Sequence, residues 1–117
     1  MHTFCHIELT TTDLEKAAFF YREMFGWKVD PMMDNYWMIT PNDDPQGVSG
    51  GIIKVDNVID SGAQNYVFVD DVADALKKAV SLGAKVIDEK RPLPHEMGFI
   101  GMFELSDGFK LGLFSRK

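Results

Sequence analysis

The 117 residues predict an α+β fold: two βαβββ modules forming a cupped mixed sheet. Three observations predict it. Apolar residues alternate in several short runs, as in half-buried strands. They recur at helical spacing in two longer runs. The whole pattern then occurs twice. It reads as one domain over residues 1–117, with module 1 at about 1–56 and module 2 at about 64–117.

The first module opens with a strand over Phe4–Thr10, where Ile7 and Leu9 share one face and His6, Glu8 and Thr10 the other. Thr12-Asp13-Leu14-Glu15 has capping-box spacing, with Asp13 as a competing cap. Leu14, Ala17, Ala18, Tyr21 and Phe25 follow on one helical face, and Gly26 ends the helix. Three short strands come next: Trp27–Val29, closed by Pro31; Tyr36–Thr40; and Val48–Val55, with Gly50-Gly51 inside it. Pro41-Asn42-Asp43-Asp44-Pro45 is a turn-forming loop. Asn57–Ala63 is the expected linker between halves.

The second module repeats the order. Tyr66–Val69 is a strand, Asp70-Asp71 cap a helix carrying Val72, Ala75, Leu76, Ala79 and Val80, and Gly83 ends it. Lys85–Ile87, Phe99–Leu105 and Lys110–Phe114 are strands. Arg91–Pro94 is a loop and Ser106-Asp107-Gly108 a turn. Asp13…Gly26-Trp27-Lys28-Val29 aligns with Asp70/Asp71…Gly83-Ala84-Lys85-Val86, an offset of about 57 to 58 residues. One helix covers one face of each four-stranded sheet. The other faces are expected to curve around a shared cup, a common kind of ligand site.

Composition narrows the partners. A net charge of −6 with no clustered Lys/Arg face argues against nucleic acid. No run approaches a membrane span, and no secretory leader is visible. Cys5 is the single cysteine, so no intramolecular disulfide forms, which suits a reducing cytoplasm. Cys5 reads as a packing residue, and His95-Glu96 as part of an exposed Pro/Gly-rich loop.

Alternation selects the residues that enter the cup. His6 and Glu8 point in from the first strand, and Gln64 and Tyr66 from the equivalent fifth. Ile100, Met102, Glu104, Gly112 and Phe114 line it from the last two strands. Gly51 is the repeat partner of Gly112, and Trp37 is a candidate wall residue. Glu8 and Glu104 are the candidate general bases. His6, Trp37, Gly51, Gln64, Tyr66, Met102, Gly112 and Phe114 are the candidate substrate-binding set.

His6-Ile7-Glu8-Leu9, Asp13-Leu14-Glu15-Lys16-Ala17, Phe20-Tyr21, Phe25-Gly26-Trp27, Gly50-Gly51-Ile52, Val69-Asp70-Asp71-Val72 and Asp107-Gly108…Gly112-Leu113-Phe114 together resemble the vicinal oxygen chelate superfamily. This is the glyoxalase, bleomycin-resistance and extradiol-dioxygenase group. The resemblance spans essentially the whole chain and is strongest to small glyoxalase-related proteins labelled lactoylglutathione lyases. It implies paired βαβββ units. It also implies a divalent metal, held near the start of each unit's first strand and on its last strand. Those positions here are His6, about Gly51, Gln64 and Gly112. His6 and Gln64 are weak metal candidates, and the glycines offer no side chain. A site improvised from His6, Glu8 and Glu104 is the other way to a metal.

Three functions follow as expectations. The favoured one is a metal-free protein that binds a small organic molecule in the cup, with no cofactor. The alternative is a metal-dependent lyase or isomerase similar to lactoylglutathione lyase. A module that acts only through another protein has no direct support in the residues. A homodimer is expected.

Overall fold

The computed structural model describes residues 2–41, 43, 48–60 and 62–117. Most of the expected loop over 41–45 and residue 61 of the linker lie outside the described residues. The chain divides into two compact units, Met1–Val58 and Ile59–Lys117.

In the first unit β1 (His6–Thr11) leads to α1 (Leu14–Phe25), then β2 (Lys28–Met33), β3 (Tyr36–Thr40) and β4 (Ser49–Lys54). The sheet order is β1-β4-β3-β2, with β1 and β4 parallel and the other neighbours antiparallel. Asp13 is the N-cap of α1 and accepts from the Lys16 amide at 3.1 Å. Of the two capping candidates, the cap is therefore Asp13. Gly26 closes the helix in the left-handed conformation, φ 69°. Leu14, Ala17, Ala18, Tyr21 and Met24 are buried along α1, and Leu9, Val29, Ile39 and Ile52 are buried on the sheet. α1 packs on β2 and β4.

Two expectations change here. Ile7 shares the Leu9 side of β1 but is 36% exposed, so the helix-side core begins at Leu9. β2 does not stop before Pro31. Pro31 pairs with Trp37, and the register then shifts toward Met33. β2 is an edge strand, where a missing N–H breaks no ladder.

The second unit repeats the plan. β5 (Tyr66–Phe68) leads to α2 (Val72–Ser81), then β6 (Lys85–Pro92), a short 3-10 turn at Pro94–Glu96, β7 (Phe99–Glu104) and β8 (Lys110–Ser115). The order β5-β8-β7-β6 reproduces that of the first sheet. Asp71 caps α2, accepting from the amides of Ala73 and Asp74. α2 packs on β6, β7 and β8, and its Val72, Leu76 and Ala79 are buried, as are Phe103, Leu111 and Leu113 of the sheet. Gly101 faces α2; a β carbon there would lie 2.7 Å from Val72 Cγ1.

The sequence placed β6 at Lys85–Ile87 and a loop at Arg91–Pro94. The strand instead runs on to Pro92, through two register shifts against β7. β6 is again an edge, so irregular pairing and a proline are tolerated. Among the described residues no helix is long and apolar enough to cross a membrane.

Candidate functional site

Pairing register assigns each side chain to a face, because residues opposite each other point the same way. In the first unit Glu8 pairs with Gly51, and Gly51 with Met38. His6, Glu8, Ser49, Gly51, Ile53, Tyr36 and Met38 therefore share the face away from α1. Trp37 pairs with Ile52, which in turn pairs with Leu9. Trp37 thus stands on the helix-covered face and does not join His6. Its orientation was not readable from alternation, and pairing settles it.

Tyr36 takes the place expected of Trp37. Its phenol lies over Gly51 and fills the space a β carbon would need; such an atom would collide with the Tyr36 hydroxyl. The same hydroxyl is 2.9 Å from His6 Nε2, and His6 Nε2 is 3.1 Å from Glu8 Oε1. One proton arrangement satisfies all three groups. With a proton on Nε2, the His6 N–H can be shared between Glu8 Oε1 and the Tyr36 hydroxyl oxygen, while the Tyr36 hydroxyl donates to the Glu8 carboxylate. Burial pushes the Tyr36 phenol above its ordinary value of 10.0, and the Glu8 carboxylate, as acceptor and as charge, pushes it further. The phenol is therefore a donor at neutral pH.

The second unit holds a counterpart. Tyr66 pairs with Gly112 and lays its ring across it; a β carbon on Gly112 would strike that ring. The Tyr66 hydroxyl donates to Gln64 Oε1 at 3.1 Å. Gln64 is the repeat partner of His6. Each unit thus sets a tyrosine over a strand glycine and ties its hydroxyl to the residue just ahead of, or at the start of, the first strand. Met102 pairs with Gly112 and Phe68 with Phe114, so Tyr66, Phe68, Ile100, Met102, Glu104, Gly112 and Phe114 share the face away from α2. Glu104 sits cross-strand between Lys85 and Lys110.

The resemblance implies a divalent metal in this site. Its ligand positions map to His6, Gly51, Gln64 and Gly112. The two glycines have no donor, and their β-carbon spaces are filled by tyrosine rings. Among the described residues no three His, Cys, Asp or Glu side chains gather to hold a metal ion. His6 and Glu8 come together, but Glu104 belongs to the other sheet. The donor set does not fit a metal bound in the family's manner.

Comparison with known proteins decides the family. A glyoxylase-like domain-containing protein of Didymella fabae is 32% identical over 99 residues, spanning 76% of this chain and 75% of that protein. The chain belongs to the vicinal oxygen chelate superfamily. A family model described as bleomycin resistance protein-like N-terminal matches residues 3–42, which hold β1, α1 and the Tyr36 strand. A glyoxalase-related enzyme from Fulvimarina pelagi superposes with a TM-score of 0.75 at 20% identity, over 98% of this chain and 88% of that one. The fosfomycin resistance protein FosX of Listeria monocytogenes gives 0.77 at 17% identity, over 98% and 93%. At these identities the structural likenesses establish the fold. The family's paired βαβββ topology, expected from the repeat, is the one observed.

Alternation and the repeat put His6, Glu8, Gln64, Tyr66, Gly51 and Gly112 among the candidates but did not include Tyr36. The signal available was Gly51 itself. A glycine inside a strand marks a place where another group approaches the backbone closely.

Proposed function

We propose that this protein binds a small organic molecule on the sheet faces its helices leave open, through side chains and without the family's metal. The observation that supports it is the tyrosine over each template glycine. Where the family places a ligand for a cation, each unit here presents a phenol bonded to a neighbouring side chain. Imidazole, carboxylate, phenol and aromatic rings are groups that orient an organic ligand. Within this reading the protein is cytoplasmic and homodimeric. The exposed, unbridged Cys5 is in keeping with a reducing compartment.

Thermal denaturation tests it, since anything that prefers the folded state raises the midpoint. We expect an aromatic probe such as 2-naphthoate to raise it and Mn, Ni, Co or Zn ions to leave it unchanged. Stoichiometric metal in the purified protein, with a midpoint that falls on chelation, would overturn the reading. A monomer mass by light scattering would remove the dimer from it.

A second reading, a metal-dependent lyase or isomerase with Glu8 as proton acceptor, draws on one observation. His6 stands at a template ligand position with Glu8 3.1 Å away. The same metal analysis distinguishes the two.

A further inference from the structure

We propose that the open face of the second sheet binds an aromatic carboxylate, its ring laid on Phe68 and Phe114 and its anion met by Arg116. The proposal names the ligand class for the binding reading above and rests on it.

The platform is built from named contacts. Phe68 and Phe114 are cross-strand partners, with ring centroids 5.7 Å apart and planes tilted by 55°. Phe68 is 58% exposed, which is unusual for a phenylalanine with a sheet to pack on. Two glycines seat the surface. Gly112 lets the Tyr66 ring lie against β8. Gly98, at φ 121°, brings the backbone under Phe114, where a β carbon would stand 2.8 Å from the ring. The Phe114 and Tyr66 rings are thus held against main chain, and a planar ligand meets a surface already in place.

Arg116 supplies the charge. Its guanidinium carbon is 5.5 Å from the Phe68 centroid and 5.9 Å from that of Phe114. Ion pairs among the described residues join Lys28 to Asp30, Lys90 to Asp71 and Lys110 to Asp60; none includes Arg116. In a chain of net charge −6, this cation lies over rings and is in no ion pair among the described residues. A guanidinium stacks on aromatic faces and still presents its N–H fork edge-on to a carboxylate. Aromatic surface beside such a fork matches a ring that carries an anionic group. A cationic ligand on the same rings would be repelled.

The test is NMR titration of the full chain with 2-naphthoate, and with 2-naphthamide and 2-naphthylmethylamine as neutral and cationic isosteres. Naphthoate should bind about tenfold more tightly than naphthamide, the difference of one charge-assisted contact. Its shifts should centre on Tyr66, Phe68, Phe114 and Arg116 and weaken with added salt. Arg116→Gln should lose about the same tenfold for naphthoate alone, with an unchanged melting midpoint, since the side chain is exposed. Amide or amine binding as tight as naphthoate overturns the anion assignment and leaves metal-free binding standing. No shift with any of the three overturns the proposal. If Mn ions also broaden signals at His6 or Gln64 selectively, the metal-free reading falls too. Shifts at Phe68 and Phe114 on simple dilution would show that a second copy covers the face and would overturn the proposal.

Discussion

Tyr36 carries two chemical facts about the first unit: it fills the space a side chain at Gly51 would need, and its hydroxyl completes a cluster with His6 and Glu8. Its phenol is raised above 10.0, mainly by burial and secondarily by Glu8. A raised phenol contributes stability that is fully present below the unfolded value of about 10 and is lost as pH rises through the higher folded value. Absorbance titration near 295 nm of the wild type minus Tyr36→Phe should give a midpoint above 10.0. Glu8→Gln should bring that midpoint partway back, because burial remains. A difference curve centred at or below 10.0 would refute this account. His6 and Glu8 were legible from period-two alternation, which is local. Tyr36 was not, because its face depends on which residue of β4 it meets. A one-residue slip turns a whole strand over, and Tyr36-Trp37-Met38-Ile39 offers no polar–apolar alternation to set the phase.

At the scale of elements, helix starts were the most readable feature and edge strands the least. Asp13 and Asp71 both occupy N-caps, where a carboxylate meets amides that have no helical partner. Asp71 does more. Lys90 Nζ donates to it at 3.2 Å, and Lys90 also lies 4.6 Å from the centre of the Phe99 ring. α2 is thereby tied to β6 and, through the Lys90–Phe99 contact, to β7. The Lys90 hydrogen bond holds the Asp71 carboxyl below its ordinary 3.8, helped by the Ala73 and Asp74 amides and opposed by partial desolvation. A lowered carboxyl contributes stability that is present above the unfolded value and is lost as pH falls through the folded one. Asp71→Asn keeps a capping oxygen and loses the charge. Urea midpoints should therefore favour the wild type at neutral pH, with the gap closing as pH drops below about 3.8. A gap that stays constant with pH would remove Lys90 and the charge from the explanation. The lengths of β2 and β6 escaped the sequence because Pro31 and Arg91-Pro92 look like breakers. At an edge, one side of a strand needs no ladder; β2 continues through Pro31 and β6 runs on to end at Pro92.

For the whole molecule, two units of the same strand order account for the repeat of about 57 to 58 residues. Each has its own buried cluster. In the second unit Phe103 is fully buried beside Leu111 and Leu113. Phe103→Ala should cost about 3–5 kcal/mol, read as a fall in urea midpoint at constant slope. A loss below about 1 kcal/mol would mean that the core is not packed as described. The sequence by itself determined the α+β class, the two βαβββ modules, where each helix starts and the polar residues of the first strands. Each of these follows from spacing along the chain, either within a few consecutive residues or in the repeat of about 57 to 58 residues. Only the tertiary structure decided that Tyr36 and not Trp37 joins His6 and that tyrosines cover Gly51 and Gly112. It also decided that Arg116 stands over Phe68 and Phe114. Those depend on register and on approach between residues far apart in the chain, and local periodicity carries no information about either.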